Sequence, residues 1–323
     1  DSTGNPQPWL AESFEVLSDT VWQFKLRKGV TFTNGEPVNA EAVKYSFDRQ
    51  VNPEYAFSLA GDYSNIDRVE IVDEYTVNFV TKEPFPMLPV WLTYLGILPP
   101  AYTEEAGLDG FASNPIGSGP YKMVEWVKDS HLTLTANEDY FMGAPAYKTL
   151  TFKIIPEDST RILALQAGEI DIAVLVPPSQ IEQINATDGI SVVSGPTSRP
   201  IYMGMNTIAE GPLQDVRVRQ ALCYALDVPA IINSVLLGNA ERIAALSLPC
   251  WAGNDTSIKP YERDLAKAAA LLAEAGYPNG EGLSFNLDVV SGEYPAIKEV
   301  AQAISGQLAE AGIAVSVVTM DKS

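Results

Sequence analysis

From Leu265 onward the chain alternates between two hydrophobic periods. "ERDLAKAAALLAEAGY" has helical spacing and ends at Gly276, and "LSFNLDVVS" then reads as a strand. "YPAIKEVAQAISGQLAEAG" returns to helical spacing and "IAVSVVTM" to a strand. Parallel neighbours cannot be joined by a tight hairpin, so this order implies a parallel pair with a crossover helix. The chain is therefore of the α/β class.

Upstream, the pattern is mixed. "TVWQFKLRKGVTF" alternates, with Trp22, Phe24 and Leu26 on one face and Gln23, Lys25 and Arg27 on the other. Asn34-Gly35 marks a turn, and Asn39-Ala40-Glu41 reads as an N-cap opening an amphipathic helix. "VEIVDEYTVNFVT" and "YKMVEWVKDSHLTLTAN" each read as a hairpin, turning at Asp73-Glu74 and near Lys128-Asp129. "TLTFKIIP" is β-branched and apolar, which predicts a buried strand. "DSTRILALQAGEIDIAVLV" opens on an Asp/Ser N-cap and runs as a helix to Ala167-Gly168, where Gly168 sits as a C′ glycine; "IDIAVLV" should then be a strand. "LQDVRVRQALCYALDVPAIINSVLLG" predicts two more helices.

Composition narrows the function classes. The 323 residues, 46% of them hydrophobic, are enough for roughly two domains with a core each. There is no tandem repeat and no low-complexity tract. The net charge of −20 opposes nucleic-acid binding, which rests on neutralising phosphates. It also opposes adsorption to an anionic membrane, and is read most simply as a solubility device. The most apolar run, Pro84 to Ala101, contains five prolines and is too short to span a bilayer. The opening "DSTGNPQPWL" is polar and unlike a signal peptide, which processing or truncation would remove. Cys223 and Cys250 make neither a disulfide framework nor a metal motif; they are two free thiols or one bridge.

The catalytic inventory is short. His131 is the only histidine and lies within a hairpin, where an exposed strand residue is the simpler reading than a general base. No G-x-S-x-G elbow accompanies it. "IGSGPY" (Ile116 to Tyr121) has G-x-G but no third glycine, and it precedes a strand. Glu104-Glu105 is a pair that chance supplies in a chain with 41 acids. One histidine and two distant cysteines disfavour a zinc site. Aromatic residues are more informative. Tyr55, Phe57 and Tyr63 fall in "NPEYAFSLAGDYSN", a segment with turn chemistry that cannot bury all three rings within itself. Either they pack on the domain beneath or one or two line a cleft.

Four blocks carry a resemblance, in order along nearly the whole chain. They are "PWLAESFEV…VWQFKLRKGVTFTNGEPVNAEAVKYSFDR", "NPIGSGPYKMVEW…LTANEDYFMGAP", "RILALQAGEIDIA" and "MGMNT…PLQDVRVRQALCYALDVPAII". Together they resemble the family 5 extracellular solute-binding proteins, the peptide- and nickel-type receptors of bacterial ABC importers. The resemblance implies a periplasmic-binding-protein type II-like, two-lobe α/β fold with an extra accessory domain. In family terms residues 1–113 are the accessory domain, 114–206 the main part of the first ligand-binding lobe, and 207–323 the first half of the second lobe. The second lobe would be incomplete and the chain truncated at both ends.

The function so implied is a substrate-binding receptor. It captures a small ligand between two lobes by a hinge motion and delivers it to a membrane permease. It is a monomer, periplasmic or extracellular, lipid-anchored in its full-length form, and not an enzyme. It needs no cofactor, no metal, no catalytic residue and no nucleic acid. Rival readings are a ligand-sensing receptor of the same fold without transport, and a periplasmic peptide hydrolase. Three segments approach the ligand by the resemblance: Tyr55 and Phe57 in the accessory-domain loop; Val174, Leu175 and Val176 after the "GEIDIA" strand; and Tyr202, Met203 and Asn206 in the crossover strand "RPIYMGMNT". In peptide-binding relatives the second segment often carries polar or aromatic groups. Val-Leu-Val here favours a ligand with an apolar portion, such as a hydrophobic peptide side chain, over a hydrated metal ion or a sugar. The competing reading makes Val174 to Val176 core.

Overall fold

The computed structural model describes residues 5–195, 197–248 and 253–320. The chain divides into two compact units, one ending at Ile154 and the other beginning at Ile155.

The first unit is built on a four-stranded antiparallel sheet, β1 (Ala11–Ser18), β2 (Val21–Leu26), β3 (Ile66–Asp73) and β4 (Thr76–Thr81), in the order β1-β2-β4-β3. The alternation in β2 sets its faces: Phe24 and Leu26 are buried and Lys25 is exposed. Helix α1 (Ala40–Gln50) covers the buried face. Its N-cap is the predicted one, with the Asn39 side chain accepting a hydrogen bond from the Ala42 N–H at 3.0 Å. Phe47, from α1, meets Phe79 edge-on at 6.0 Å, and Phe79 meets Phe24 at 5.5 Å. Such pairs each add about 0.5–1.5 kcal/mol beyond the area they bury. The proline-rich run holds the short α2 (Leu88–Trp91), whose Leu88 is fully buried, and the start of α3 (Pro100–Ser113). Among the described residues no helix is long and apolar enough to cross a membrane.

A three-stranded sheet follows, β5 (Tyr121–Val127), β6 (His131–Ala136) and β7 (Thr149–Lys153), antiparallel and in chain order. Both predicted hairpins are present. "TLTFK" forms a strand but not a buried one: only Leu150 is half-buried and Phe152 is 56% exposed. An edge strand pairs on one side alone, and β-branched composition reports strand propensity rather than depth.

The second unit contains α4 (Asp158–Gln166), α5 (Ile181–Asn185), α6 (Val216–Ala225), α7 (Val228–Ser234), α8 (Leu265–Glu274), β8 (Ser284–Val290), α9 (Ile297–Glu310) and β9 (Ala314–Met320). Strands β8 and β9 are parallel, pairing from Ser284↔Ala314 to Val290↔Met320, and α9 is the crossover helix. They form their own sheet, separate from β7. Leu222 of α6, Leu272 of α8, Leu308 of α9 and Ile313 make the core beneath them. Helix α4 ends as predicted: Gly168 has φ +72°, its N–H reaches the Leu165 carbonyl, and the Glu169 N–H reaches Ala164. This is the paired hydrogen bonding of a Schellman cap. Helix α9 ends the same way at Gly312, where space is also decisive. A Cβ there would lie 1.9 Å from the Asn279 carbonyl oxygen, at the turn that feeds β8.

Three expectations are corrected. Helix α4 begins at Asp158 after Glu157, which makes no side-chain cap; Asp158 instead turns to Arg161, three residues on. "IDIAVLV" and "RPIYMGMNT" belong to none of the strands among the described residues. Alternation supplies faces, but a strand also needs a neighbouring ladder for its backbone groups. The Cys223–Cys250 pairing is not among these, since Cys250 lies outside the described residues; burial pushes the Cys223 thiol pKa up.

Candidate ligand-binding site

Within the second unit, the Schellman cap at Gly168 reverses the chain so that residues 174–175 return beside α4. Arg161 joins the two. Its Nε donates to the Val174 carbonyl at 3.0 Å and its Nη2 to the Leu175 carbonyl at 3.2 Å. Nη1 donates to Ile155 at 2.9 Å, and Nη2 pairs with the Asp158 carboxylate at 2.5 Å. The Arg161 side chain is only 12% exposed. A planar fork with five donors suits this task, because one group can satisfy carbonyls from two segments at once.

The segment so held is unusual. Leu175 has φ +57°, in the left-handed region that costs a non-glycine residue about 1–2 kcal/mol. Val174 and Leu175 are nonetheless exposed, at 65% and 42%, while Val176 is half-buried. Pro177 and Pro178 follow at once and stiffen the exit.

A small open cleft of about 320 Å³ lies next to this segment, at the low end of the ~300–1,000 Å³ typical of ligand sites. Asp158, Pro177, Pro178 and Ser179 line one part of it, and Ser234 at the end of α7 and Glu299 of α9 line another. Its chemistry is two carboxylates and two hydroxyls among apolar walls. Arg161 and the cleft residues were not singled out from sequence. Ser234 and Glu299 carry no local signal, since they join the cleft only through the packing of distant helices.

The remaining candidates divide. Tyr55 and Phe57 stack at 5.4 Å with Arg49 placed 5.0 Å from each ring, and both are half-buried. Ala56 between them has φ +49°, which brings the two rings together. Tyr63 is core, 1% exposed, with its hydroxyl donating to the Trp91 carbonyl at 3.4 Å. Tyr202 is 64% exposed. Met203 packs half-buried on the core of the second unit. The Asn206 side chain is occupied locally, accepting from the Ile208 and Ala209 N–H groups at 3.1 Å each. His131 contacts Ser130 Oγ at 2.9 Å and Glu125 at 3.2 Å, and is half-buried in β6 rather than the exposed strand residue expected. Among the described residues no group of three or more His, Cys, Asp or Glu is arranged to hold a metal ion.

An α/β chain with a hairpin-rich first unit and a separate parallel β-α-β sheet has the type II periplasmic-binding-protein architecture. The chain belongs to the bacterial extracellular solute-binding proteins, family 5, whose "Middle" description matches residues 5–323. It is 33% identical over 318 residues to the glutathione-binding protein GsiB of Pectobacterium atrosepticum, covering 97% of this chain and 60% of that one. Among solved structures it resembles NikZ from Campylobacter jejuni in complex with Ni(L-His), with TM-score 0.89 and 27% identity over 98% of this chain and 66% of that one. It also resembles DppA from Helicobacter pylori in complex with the peptide STSA, with TM-score 0.84 and 29% identity over 98% and 65%. The chain thus spans about 60% of the length of the curated relatives it matches.

Proposed function

We propose that this chain is the ligand-capturing portion of an ABC-importer receptor. It works in the periplasm or outside the cell as a monomer and hands a small ligand to a membrane permease. The ligand is a short peptide with an apolar side chain. One observation carries the peptide reading: Val174 and Leu175 are held outward, on a backbone pinned by Arg161, beside a cleft with carboxylates and hydroxyls. An apolar side chain gains by covering that surface, while the carboxylates and hydroxyls suit a peptide's amino end and backbone N–H groups. Family relatives described as binding glutathione, or solved with a peptide, support a ligand of this size.

Calorimetric titration of the full-length protein with trileucine, reduced glutathione and nickel–histidine tests this. Trileucine should bind at least tenfold more tightly than the other two, a difference of about 1.4 kcal/mol. Binding of glutathione or nickel–histidine with no response to trileucine rejects the apolar-peptide reading. No catalytic role is assigned, and peptide incubated with the protein should be recovered intact.

A further inference from the structure

The candidate contact surface at Val174–Leu175 has an unexplained cost, a leucine in a left-handed conformation whose side chain is 42% exposed. A strained residue with so little burial gains little from packing. Something else must hold it there, and strain retained in this way clusters at sites that bind. The holder is identifiable. Arg161 donates to the carbonyl on each side of the Val174–Leu175 step, at 3.0 and 3.2 Å, and a third bond to Ile155 anchors it to the base of α4. Asp158 fixes the guanidinium from the other side at 2.5 Å and also lines the cleft. One ion pair thus connects the cleft wall to the backbone of the exposed apolar step.

We infer that Arg161 is a positioning residue for ligand capture: it holds Leu175 in the left-handed conformation and so presents Val174 and Leu175 beside the cleft. This rests on the peptide reading above for its ligand, but not for its geometry. The requirement is specific to a planar fork. A lysine ammonium is a single point and cannot serve two successive carbonyls and a carboxylate in these directions. Glycine at 175 would adopt the same backbone without strain, yet would remove the surface being presented.

The test uses the full-length protein, Arg161→Lys and Leu175→Gly, with three readouts: trileucine affinity, melting temperature without ligand, and the ¹³Cα and ¹³Cβ shifts of Leu175. Arg161→Lys should move the Leu175 shifts away from left-handed values and weaken trileucine binding at least tenfold. Leu175→Gly should keep or raise the melting temperature while weakening trileucine binding at least tenfold. That opposition of stability and affinity is one that a merely structural arginine–loop contact would not produce. Unmoved Leu175 shifts in Arg161→Lys overturn the inference. So does a trileucine affinity that survives Leu175→Gly, which settles the matter even if Arg161→Lys folds poorly. If the parent protein binds no trileucine, the peptide reading falls, and the Leu175 shifts alone decide whether Arg161 sets this backbone.

Discussion

The strand β4 and the segment from Ile170 to Val176 are written in similar letters, "TVNFVT" and "IDIAVLV". Their fates differ. Strand β4 lies between β2 and β3, with Val77 fully buried and Phe79 3% exposed, packed against an aromatic cluster. The later segment joins no ladder among the described residues, leaves Ile172 81% exposed, and is held by a single guanidinium. β-Branched alternation is thus permission to be a strand rather than a command. A flanking ladder and an apolar layer turn it into architecture; without them, the backbone carbonyls turn to a side-chain donor instead.

The comparison can be broken or sharpened by substitution. The largest effect should come from Phe47→Ala, which empties the centre of the aromatic cluster and should cost about 3–5 kcal/mol of stability by denaturant titration. Trileucine affinity per folded molecule should barely change. A smaller effect of the opposite kind is expected from Leu175→Asp: affinity falls more than tenfold, over about 1.4 kcal/mol, while the melting temperature holds. Aspartate tolerates the left-handed backbone better than leucine, so the fold loses little. A sharp drop in melting temperature with unchanged affinity would show Leu175 to be core after all. Next, Asn39→Ala should cost about 1 kcal/mol, because it removes the cap of the helix that covers the four-stranded sheet.

The smallest effect concerns Asp215, where the chain turns into α6. The Arg217 guanidinium and backbone N–H hold its carboxyl pKa down to about 2, against an ordinary value of 3.8. A group depressed on folding stabilises the native state above its unfolded pKa and loses that contribution as pH falls through its folded pKa. The melting-temperature advantage of the parent over Asp215→Asn should therefore be full at pH 5 and fade between about pH 4 and pH 2. An advantage that grows on acidification would contradict this linkage.

Local signals were legible where the chain controls its own neighbourhood. The Trp22, Phe24 and Leu26 face, the Asn39 cap, the Gly168 stop and the parallel pair after Leu265 all follow from a few adjacent residues. Legibility failed where the outcome depended on distant partners. "TLTFKIIP" has the composition of a buried strand, and composition cannot reveal that β7 lies at a sheet edge among the described residues. Tyr55, Phe57 and Tyr63 looked equivalent, yet only Tyr63 reaches the core; the other two are collected by Arg49 from the end of α1. Arg161 stands within the recognised "RILALQAGEIDIA" block, but its task appears only once the chain has turned back upon α4. The cleft residues Ser234 and Glu299 are assembled by helices that are remote in sequence.

The contact between Gly312 and the Asn279 carbonyl has a kinetic consequence. It brings together the points where β8 and β9 begin, across a segment of roughly thirty residues whose closure entropy must be met before the ladder yields anything in return. Once these two turns touch, Ser284 stands opposite Ala314 and the remaining pairs can add one by one. A side chain at 312 would obstruct that first encounter as much as the finished sheet. Refolding of Gly312→Ala should therefore slow in proportion to its loss of stability, as expected for a site already formed at the folding barrier.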